Sequence, residues 1–367
     1  MTVVASPPTE LDQKLTRLEE ILRPMGRVLI GYSGGVDSAT LAVAARRVLG
    51  DGAVAVTAVS ESYAEGELEI AAEICRQFDI RHEVIHTQEL ANPDYARNPT
   101  NRCYFCKREL LVEMEEVARR LGLEHVIYGQ NADDSGDFRP GAQAARERGA
   151  RAPLAEAGIT KAEIRELARR WGLKVWDRPA TACLSSRFPY GTAITAEGLR
   201  MVDRAEQYLR LSCGFTQVRA RHHGEVSRLE LIPEELTRIL AEPELRRGTA
   251  EAILGLGYRQ VTVDLRGFRS GSMNEVIGQA QSLDPEVAVE AALTALGLSP
   301  HAAERHERMI CLRLTEAGIA ILAEVETRRS LVTRLEAAGV RYAALDLVPL
   351  TDGAARVPAD PRTAQAG

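Results

Sequence analysis

The sequence predicts an α/β domain built on a parallel sheet, followed by a smaller α+β domain. Three observations carry this. Short apolar runs alternate with amphipathic helical patterns from residue 11 to about residue 130, the signature of strands joined by crossover helices. After about Thr195 the pattern changes to paired strand-like runs followed by helices. The length of 367 residues exceeds what one hydrophobic core usually organises. The expected boundaries are 11–195 for the α/β domain, 196–275 for the α+β domain, and 276–355 for a C-terminal extension.

The elements follow in order. Leu11, Leu15, Leu18 and Leu22 recur at helical spacing and give a first helix. RVLIGY (27–32), AVAVTAVS (53–60), HEVIHT (82–87) and HVIYGQ (125–130) read as four strands. VDSATLAVAARRVL, ELEIAAEICRQFD and YFCKRELLVEMEEVARRLG are the helices between them. Residues 135–190 read as rich in loops and arginine, with eleven Lys and Arg against six Asp and Glu. That local excess suggests an anionic ligand. Further on, AEGLRMVDRAEQYLRL is a helix and TQVRARHHGEVSRLEL two strands. PELRRGTAEAILGLG is another helix and YRQVTVDL a strand. This β-β-α-β unit recurs: GYRQVTVDLRGFRSG (257–271) aligns without gaps on GVRYAALDLVPLTDG (339–353). Upstream, MICLRL and GIAILAEV stand where the two strands stood, joined through a helical stretch at 276–306. The second copy has at best Arg313 where the first has Arg219 and Arg221.

Composition excludes several classes. Hydrophobic residues at 45% and charged residues at 27% are those of a folded chain. No apolar run approaches the length of a membrane helix, and the N-terminus lacks the pattern of a secretory signal. A net charge of −6 argues against bulk binding of nucleic acid. Six cysteines without that signal point to a reducing, cytoplasmic setting, where close cysteine pairs are metal or redox sites. Only four of the 46 basic residues are lysine (Lys14, Lys107, Lys161, Lys174).

Ser33-Gly34-Gly35-Val36-Asp37-Ser38 lies between the first strand and the second helix. Glycines there let the backbone turn tightly and aim N–H groups at one point, at the positive end of the helix dipole. Such a loop holds an anion such as pyrophosphate, with Ser33 and Ser38 adding hydroxyls and Asp37 suited to Mg²⁺ or to orienting the loop. The spacing is not that of a GxxxxGK[ST] loop. SGGVDS resembles the signature of the ATP pyrophosphatases, which cleave ATP between the α and β phosphates. Gly129, Asn131 and the acids Asp133 and Asp134 follow the fourth strand, where a parallel sheet places its ligand crevice. These residues are candidates for ATP and Mg²⁺ binding.

Cys103 and Cys106 form a CxxC at a helix start, and Cys183 lies between Pro179 and Pro189. A lone CxxC is open to zinc, redox and cluster readings. Three cysteines can also hold a [4Fe–4S] cluster with one iron left free. Cys75, Cys213 and Cys311 read as small buried hydrophobes.

Taken together, SGGVDS, RCYFCK, NADDSGDFRPG, ACLSSRFPYGTAIT and DLRGFRSGSMNE resemble the ATP-dependent sulfur-insertion enzymes of nickel-pincer cofactor biosynthesis, over residues 11–275. The resemblance implies adenylylation, with ATP and Mg²⁺, of a carboxylate of pyridinium-3,5-biscarboxylic acid mononucleotide. A sulfur nucleophile then displaces AMP. It implies catalytic roles for Asp37, Cys103, Cys106 and Cys183, with the three cysteines ligating a [4Fe–4S] cluster whose open iron carries a sulfide. Members with only the cysteine matching Cys183 give up its own sulfur. The resemblance also implies that Arg219 and Arg221, on one strand face, bind the substrate phosphate, with Arg187, Arg266 and Arg269 as further candidates. A sulfide source and a homo-oligomer are expected partners. Rival readings are a tRNA-thiolating pyrophosphatase, an ammonia-using synthetase and a non-catalytic nucleotide-binding scaffold.

Overall fold

The structure, a computed structural model, describes residues 9–136, 140–179, 182–269, 285–298, 301–306, 309–340 and 342–350. The chain divides into two compact units. One runs to Ser185 and includes Ala193–Leu199; the other holds Ser186–Thr192 and the chain from Arg200 onward.

The first unit carries α1 (Glu10–Leu22), β1 (Val28–Gly31), α2 (Val36–Leu49), β2 (Ala53–Val59), α3 (Glu67–Gln77) and β3 (Arg81–His86). It continues with α4 (Pro93–Ala96), α5 (Arg102–Leu121), β4 (His125–Tyr128), α6 (Pro140–Glu147), α7 (Pro153–Glu156) and α8 (Lys161–Arg170). The four strands form an all-parallel sheet in the order β3-β2-β1-β4. Both faces are covered, which is why the central strands read as continuous apolar runs. Val28, Ile30, Ala53 and Ala55 pack with α1, α2 and α8. Leu29, Val54 and Val56 pack on the other side with α5. The strand order reverses at β1: the chain moves outward to β2 and β3, then returns to β4 on the other side. The crevice at that reversal is where open α/β sheets bind ligands.

The second unit is entered through α9 (Ala196–Leu211) and holds β5 (Arg219–His223), β6 (Val226–Glu230), α10 (Pro233–Ala241), α11 (Pro243–Leu254) and β7 (Gln260–Asp264). After it come α12 (Pro285–Ala295), β8 (His301–His306), β9 (Met309–Leu314), α13 (Glu316–Ala323), α14 (Val325–Ala337) and β10 (Tyr342–Asp346). Its six strands form one mixed sheet, β5-β6-β7-β10-β9-β8, so the 276–355 stretch contributes strands to the sheet of β5–β7. One sheet face packs its apolar residues, Leu229, Val263, Leu312 and Leu345 among them, against helices. The opposite face of β5–β7 is polar and buried, with Arg219, Arg221, Arg228, Glu230, Thr262 and Asp264.

Three sequence expectations need correction. The 135–190 stretch contains α6, α7 and α8, and α8 starts with a capping box, Thr160 and Glu163 each bonding the other's backbone N–H. GIAILAEV is not a strand: it forms most of α13 and the start of α14, with the Thr315 hydroxyl capping α13 at the Gly318 N–H. An apolar run that short has no periodicity to separate helix from strand. Within 276–306, residues 301–306 are the edge strand β8, paired antiparallel with β9.

Candidate active site

The loop between β1 and α2 turns through Gly34, whose φ of +76° lies in the left-handed region and whose absent Cβ would sit 3.1 Å from the Ala71 Cβ. Gly35 is the N-cap of α2, and no side chain caps that end. Its first N–H groups therefore face the loop as an anion site. Ser38 fastens the turn: its hydroxyl accepts from the Ser33 N–H at 3.2 Å and donates to the Gly35 carbonyl at 3.1 Å. Asp37 reaches forward from the first turn. Its Oδ2 accepts from Lys161 Nζ at 2.6 Å, while its buried Oδ1 has no hydrogen-bond partner.

The β4 loop presses against this turn. A Cβ on Gly129 would stand 2.8 Å from the Ser38 nitrogen and 2.9 Å from its Cα, so only glycine fits. Asn131 and Asp134 are spent on their own turn: Asn131 Oδ1 accepts from the Asp133 N–H and Asp134 Oδ2 from the Asn131 N–H. Asp133 Oδ2 accepts from the Lys161 N–H at 2.7 Å and so ties this loop to the start of α8.

Above the loops lies a cavity of about 330 Å³, lined by Ser33, Gly35, Asp37, Ser38, Gly129, Lys107, Cys106 and Cys183, among others. A second lobe of about 260 Å³ shares Ser33, Gly35, Asp37 and Cys183 and adds Lys161, Arg165 and Arg178. Cys183 is exposed and belongs to both lobes. The segment that carries it is anchored twice: the Leu184 N–H donates to the Ser62 carbonyl at 2.9 Å, and the Ser185 hydroxyl meets the Tyr95 hydroxyl at 2.6 Å. Cys103 and Cys106 are the second and fifth residues of α5. Burial pushes the Cys106 thiol up, and Glu89, Cys183 and Cys103 push it further. Burial raises Cys103 too, with Cys183 adding to it. Cys183 thus acts electrostatically on both Cys103 and Cys106. Among the described residues, however, no group of three or more His, Cys, Asp or Glu side chains could hold a metal ion.

Two residues beside the cysteines escaped the sequence reading. Glu89 is buried and accepts from the Ser60 and Ser62 hydroxyls at 2.6 and 2.7 Å. Nothing in its sequence neighbourhood marks it. Lys107 lies 4.7 Å over the Tyr128 ring and has no carboxylate partner among the described residues. Burial lowers its pKa, because the buried cation is short of solvation. Its signal was present: it is one of four lysines and follows Cys106 directly. Lys161, the partner of Asp37, is another of the four.

The candidate substrate arginines lie in the second unit. Arg187 is fully buried and bidentate on Glu206, at 2.7 and 2.8 Å. Arg221 bonds Glu230 at 2.6 Å and the Ser186 carbonyl at 3.0 Å. Arg219 stacks 5.3 Å over Phe268 and donates to the Val218 carbonyl. Burial, with the cations of Arg187, Arg221 and Arg210 outweighing Glu206, drops its pKa to about 10. Arg187, Arg219 and Arg221 thus share one buried cluster rich in positive charge. Arg266 and Arg269 are engaged elsewhere, with Glu336 at 2.8 Å and with Asp264 at 3.5 Å.

The chain is similar to several known proteins. The family model for NAD synthase matches residues 15–101, which span β1, the glycine loop, α2 and β2. An uncharacterized protein of Synechocystis sp. is 47% identical over 73% of this chain and 99% of its own length. The pyridinium-3,5-bisthiocarboxylic acid mononucleotide synthase of Lactiplantibacillus plantarum is 35% identical over 74% of this chain and 97% of its own. One subunit of the glutamine-hydrolyzing GMP synthase of Pyrococcus furiosus is 31% identical over 32% of this chain and 39% of its own. Among the described residues no helix is long and apolar enough to cross a membrane.

Proposed function

Since the chain belongs to the pyridinium-3,5-bisthiocarboxylic acid mononucleotide synthases, a family of PP-loop ATP pyrophosphatases, we propose that it activates the carboxylates of pyridinium-3,5-biscarboxylic acid mononucleotide with ATP and replaces AMP with sulfur. The observation that carries this reading is one cavity lined both by the anion loop (Ser33, Gly35, Asp37, Ser38) and by Cys106 and Cys183. A carboxylate is a poor acyl electrophile because its oxygen leaves badly. Attack of that oxygen on the α-phosphorus expels pyrophosphate and gives an acyl adenylate. A sulfur nucleophile then forms the C–S bond as the C–O pair departs with AMP.

The residues divide this work. The free N-terminus of α2 and the Ser33 and Ser38 hydroxyls receive the phosphates. The unpartnered Oδ1 of Asp37 fits a Mg²⁺ ligand, and Lys161 balances that carboxylate. Lys107 offers an uncompensated cation to the adenylate or to the substrate carboxylate. Arg219 and Arg221 take the substrate phosphate, as the gathering of Arg187, Arg219 and Arg221 into one buried cluster supports.

For the sulfur, Cys103, Cys106 and Cys183 would hold a [4Fe–4S] cluster, which when bound supplies an open iron for a transferable sulfide. The effect of Cys183 on both Cys103 and Cys106 supports that assignment. A second reading is favoured by the exposure of Cys183 in both lobes and by the lack of a metal-holding group among the described residues. Here Cys183 gives its own sulfur and is left as dehydroalanine. Anaerobic turnover with excess sulfide, followed by intact-mass spectrometry, separates the two. Multiple turnovers with an unchanged chain, lost in Cys103→Ala while pyrophosphate release persists, are expected. A single turnover with dehydroalanine at 183 and full activity in Cys103→Ala would establish the sacrificial route. No pyrophosphate release from ATP and the pyridinium substrate would refute the adenylylation itself.

A further inference from the structure

The second unit contains one arrangement twice. Strands β5 and β6 form an antiparallel hairpin, α10 and α11 follow, and β7 returns parallel to β6. Strands β8 and β9, helices α13 and α14, and β10 repeat every step, including β10 parallel to β9. The two copies meet along β7 and β10, which are antiparallel, with Val263 opposite Leu345. That pair is separated by 82 positions, and Asp264 and Asp346 keep the same separation. The seam therefore runs about a local two-fold axis through Val263 and Leu345.

The helices obey the same axis. Glu242 and Glu324 are the N-caps of α11 and α14, again 82 positions apart. Arg246 and Arg328, the fourth residues of those helices, share one geometry. Arg246 donates to the Leu240 carbonyl at the end of α10 at 2.8 Å, and Arg328 to the Leu322 carbonyl near the end of α13 at 2.7 Å. Each then crosses to the other copy: Arg246 reaches Glu316 at 2.5 Å, and Arg328 reaches Thr237 Oγ1 at 3.1 Å. Both arginines thus bridge the copies from equivalent positions, although onto residues that the separation of 82 does not equate. Bridging in both directions across a two-fold axis is what an isologous interface between two subunits shows.

We propose that residues 301–346 are an internal second copy of residues 219–264, occupying within one chain the place of a second subunit against β7. Alone, the first copy is a three-stranded sheet ending on β7, whose far edge is paired with β10 in the six-stranded whole. A bare edge of that kind recruits another chain. The copies have also diverged in their polar residues. Arg221 lies opposite Arg228, and Arg228 opposite Thr262; in the second copy Glu304 lies opposite Cys311, and Cys311 opposite Ala344. Register thus equates Arg221 with Glu304, and Arg219 with Ala302. The second copy keeps the seam and has lost the arginine pair, so the closed sheet carries one such pair where a two-subunit version would carry two.

The full-length chain tests this. With Val263→Cys and Leu345→Cys together, oxidation should join the two positions within one chain, leaving a monomer band on a non-reducing gel. In Leu345→Pro, which breaks the β10 ladder, the freed β7 should pair with β7 of another chain. Particle mass by light scattering should double relative to the unmodified protein, and Val263→Cys in that background should cross-link chain to chain. Thr237→Arg with Glu316→Arg opposes a cation to Arg328 and to Arg246 without touching a strand, and should also double the mass. Chain-to-chain linkage in the Val263→Cys/Leu345→Cys protein would overturn the proposal. So would unchanged mass in whichever seam variants keep native circular dichroism.

Discussion

A methyl group at Gly129 is the smallest change expected to damage the nucleotide site. It would stand within 3.0 Å of the backbone at Asp37 and Ser38, which cannot yield as a side-chain tip would. Gly129→Ala should cost about 1–3 kcal/mol, as overpacking does, and should weaken ATP binding by displacing the start of α2. Thermal denaturation and ATP titration read the two effects. Cys75 makes a different prediction. Burial lifts its thiol from 9.0 to about 11. Below pH 9 it is protonated in the folded and unfolded chain alike. Between pH 9 and 11 only the unfolded chain loses the proton, so stability falls as pH rises, by roughly 1–3 kcal/mol in all. Denaturant titrations should show that alkaline slope reduced in Cys75→Ala. Single residues were legible where backbone chemistry dictates them, as at Gly34 and Gly35. They were not where a partner lies far along the chain, as with Glu206 beneath Arg187 or Ser60 and Ser62 around Glu89.

Among the elements, α8 was written in the sequence and hidden by its surroundings. Thr160 and Glu163 form its capping box, but the density of arginine around them pointed to ligand binding instead. Thr160→Ala should cost about 1 kcal/mol and, through Lys161 and Asp37, should lower the rate of pyrophosphate release. Unchanged thermal midpoint and rate would contradict this. The four parallel strands were legible because β1 and β2 are buried apolar runs and all four alternate with helices of unmistakable period. β8 was not, because its sequence, HAAERH, carries no apolar stripe and it is held as a strand by pairing with β9. The repeat was visible in its last strand, where Asp264 and Asp346 align. Its hairpin was misplaced because MICLRL corresponds in register to β6 and not to β5.

At the scale of the molecule, the anion loop and cysteines belong to one unit and the arginines proposed for the substrate to the other. Substitutions in each should therefore separate kinetically. Arg219→Ala should raise the KM for the pyridinium mononucleotide by about 10- to 100-fold, the worth of one charge-assisted phosphate contact. Its Kd for ATP should stay as it was. A parallel fall in ATP affinity would place Arg219 in the nucleotide site instead. The succession of a parallel sheet and a mixed sheet was legible from the change in strand pattern along the chain. That residues past 276 belong to the same sheet was not, because the β7–β10 seam joins positions far apart in the chain.

The near-absence of lysine has a practical consequence. An amine-acylating reagent meets only four side-chain targets in 367 residues. Lys14 and Lys174 are engaged by Glu163 and Glu73, and Lys161 by Asp37. Lys107 alone combines burial that favours its neutral amine with no carboxylate partner among the described residues. A mild acylating ester should modify it ahead of the other three, and ATP should shield it. Peptide mapping after brief labelling, with and without nucleotide, would read the occupancy of this cavity directly.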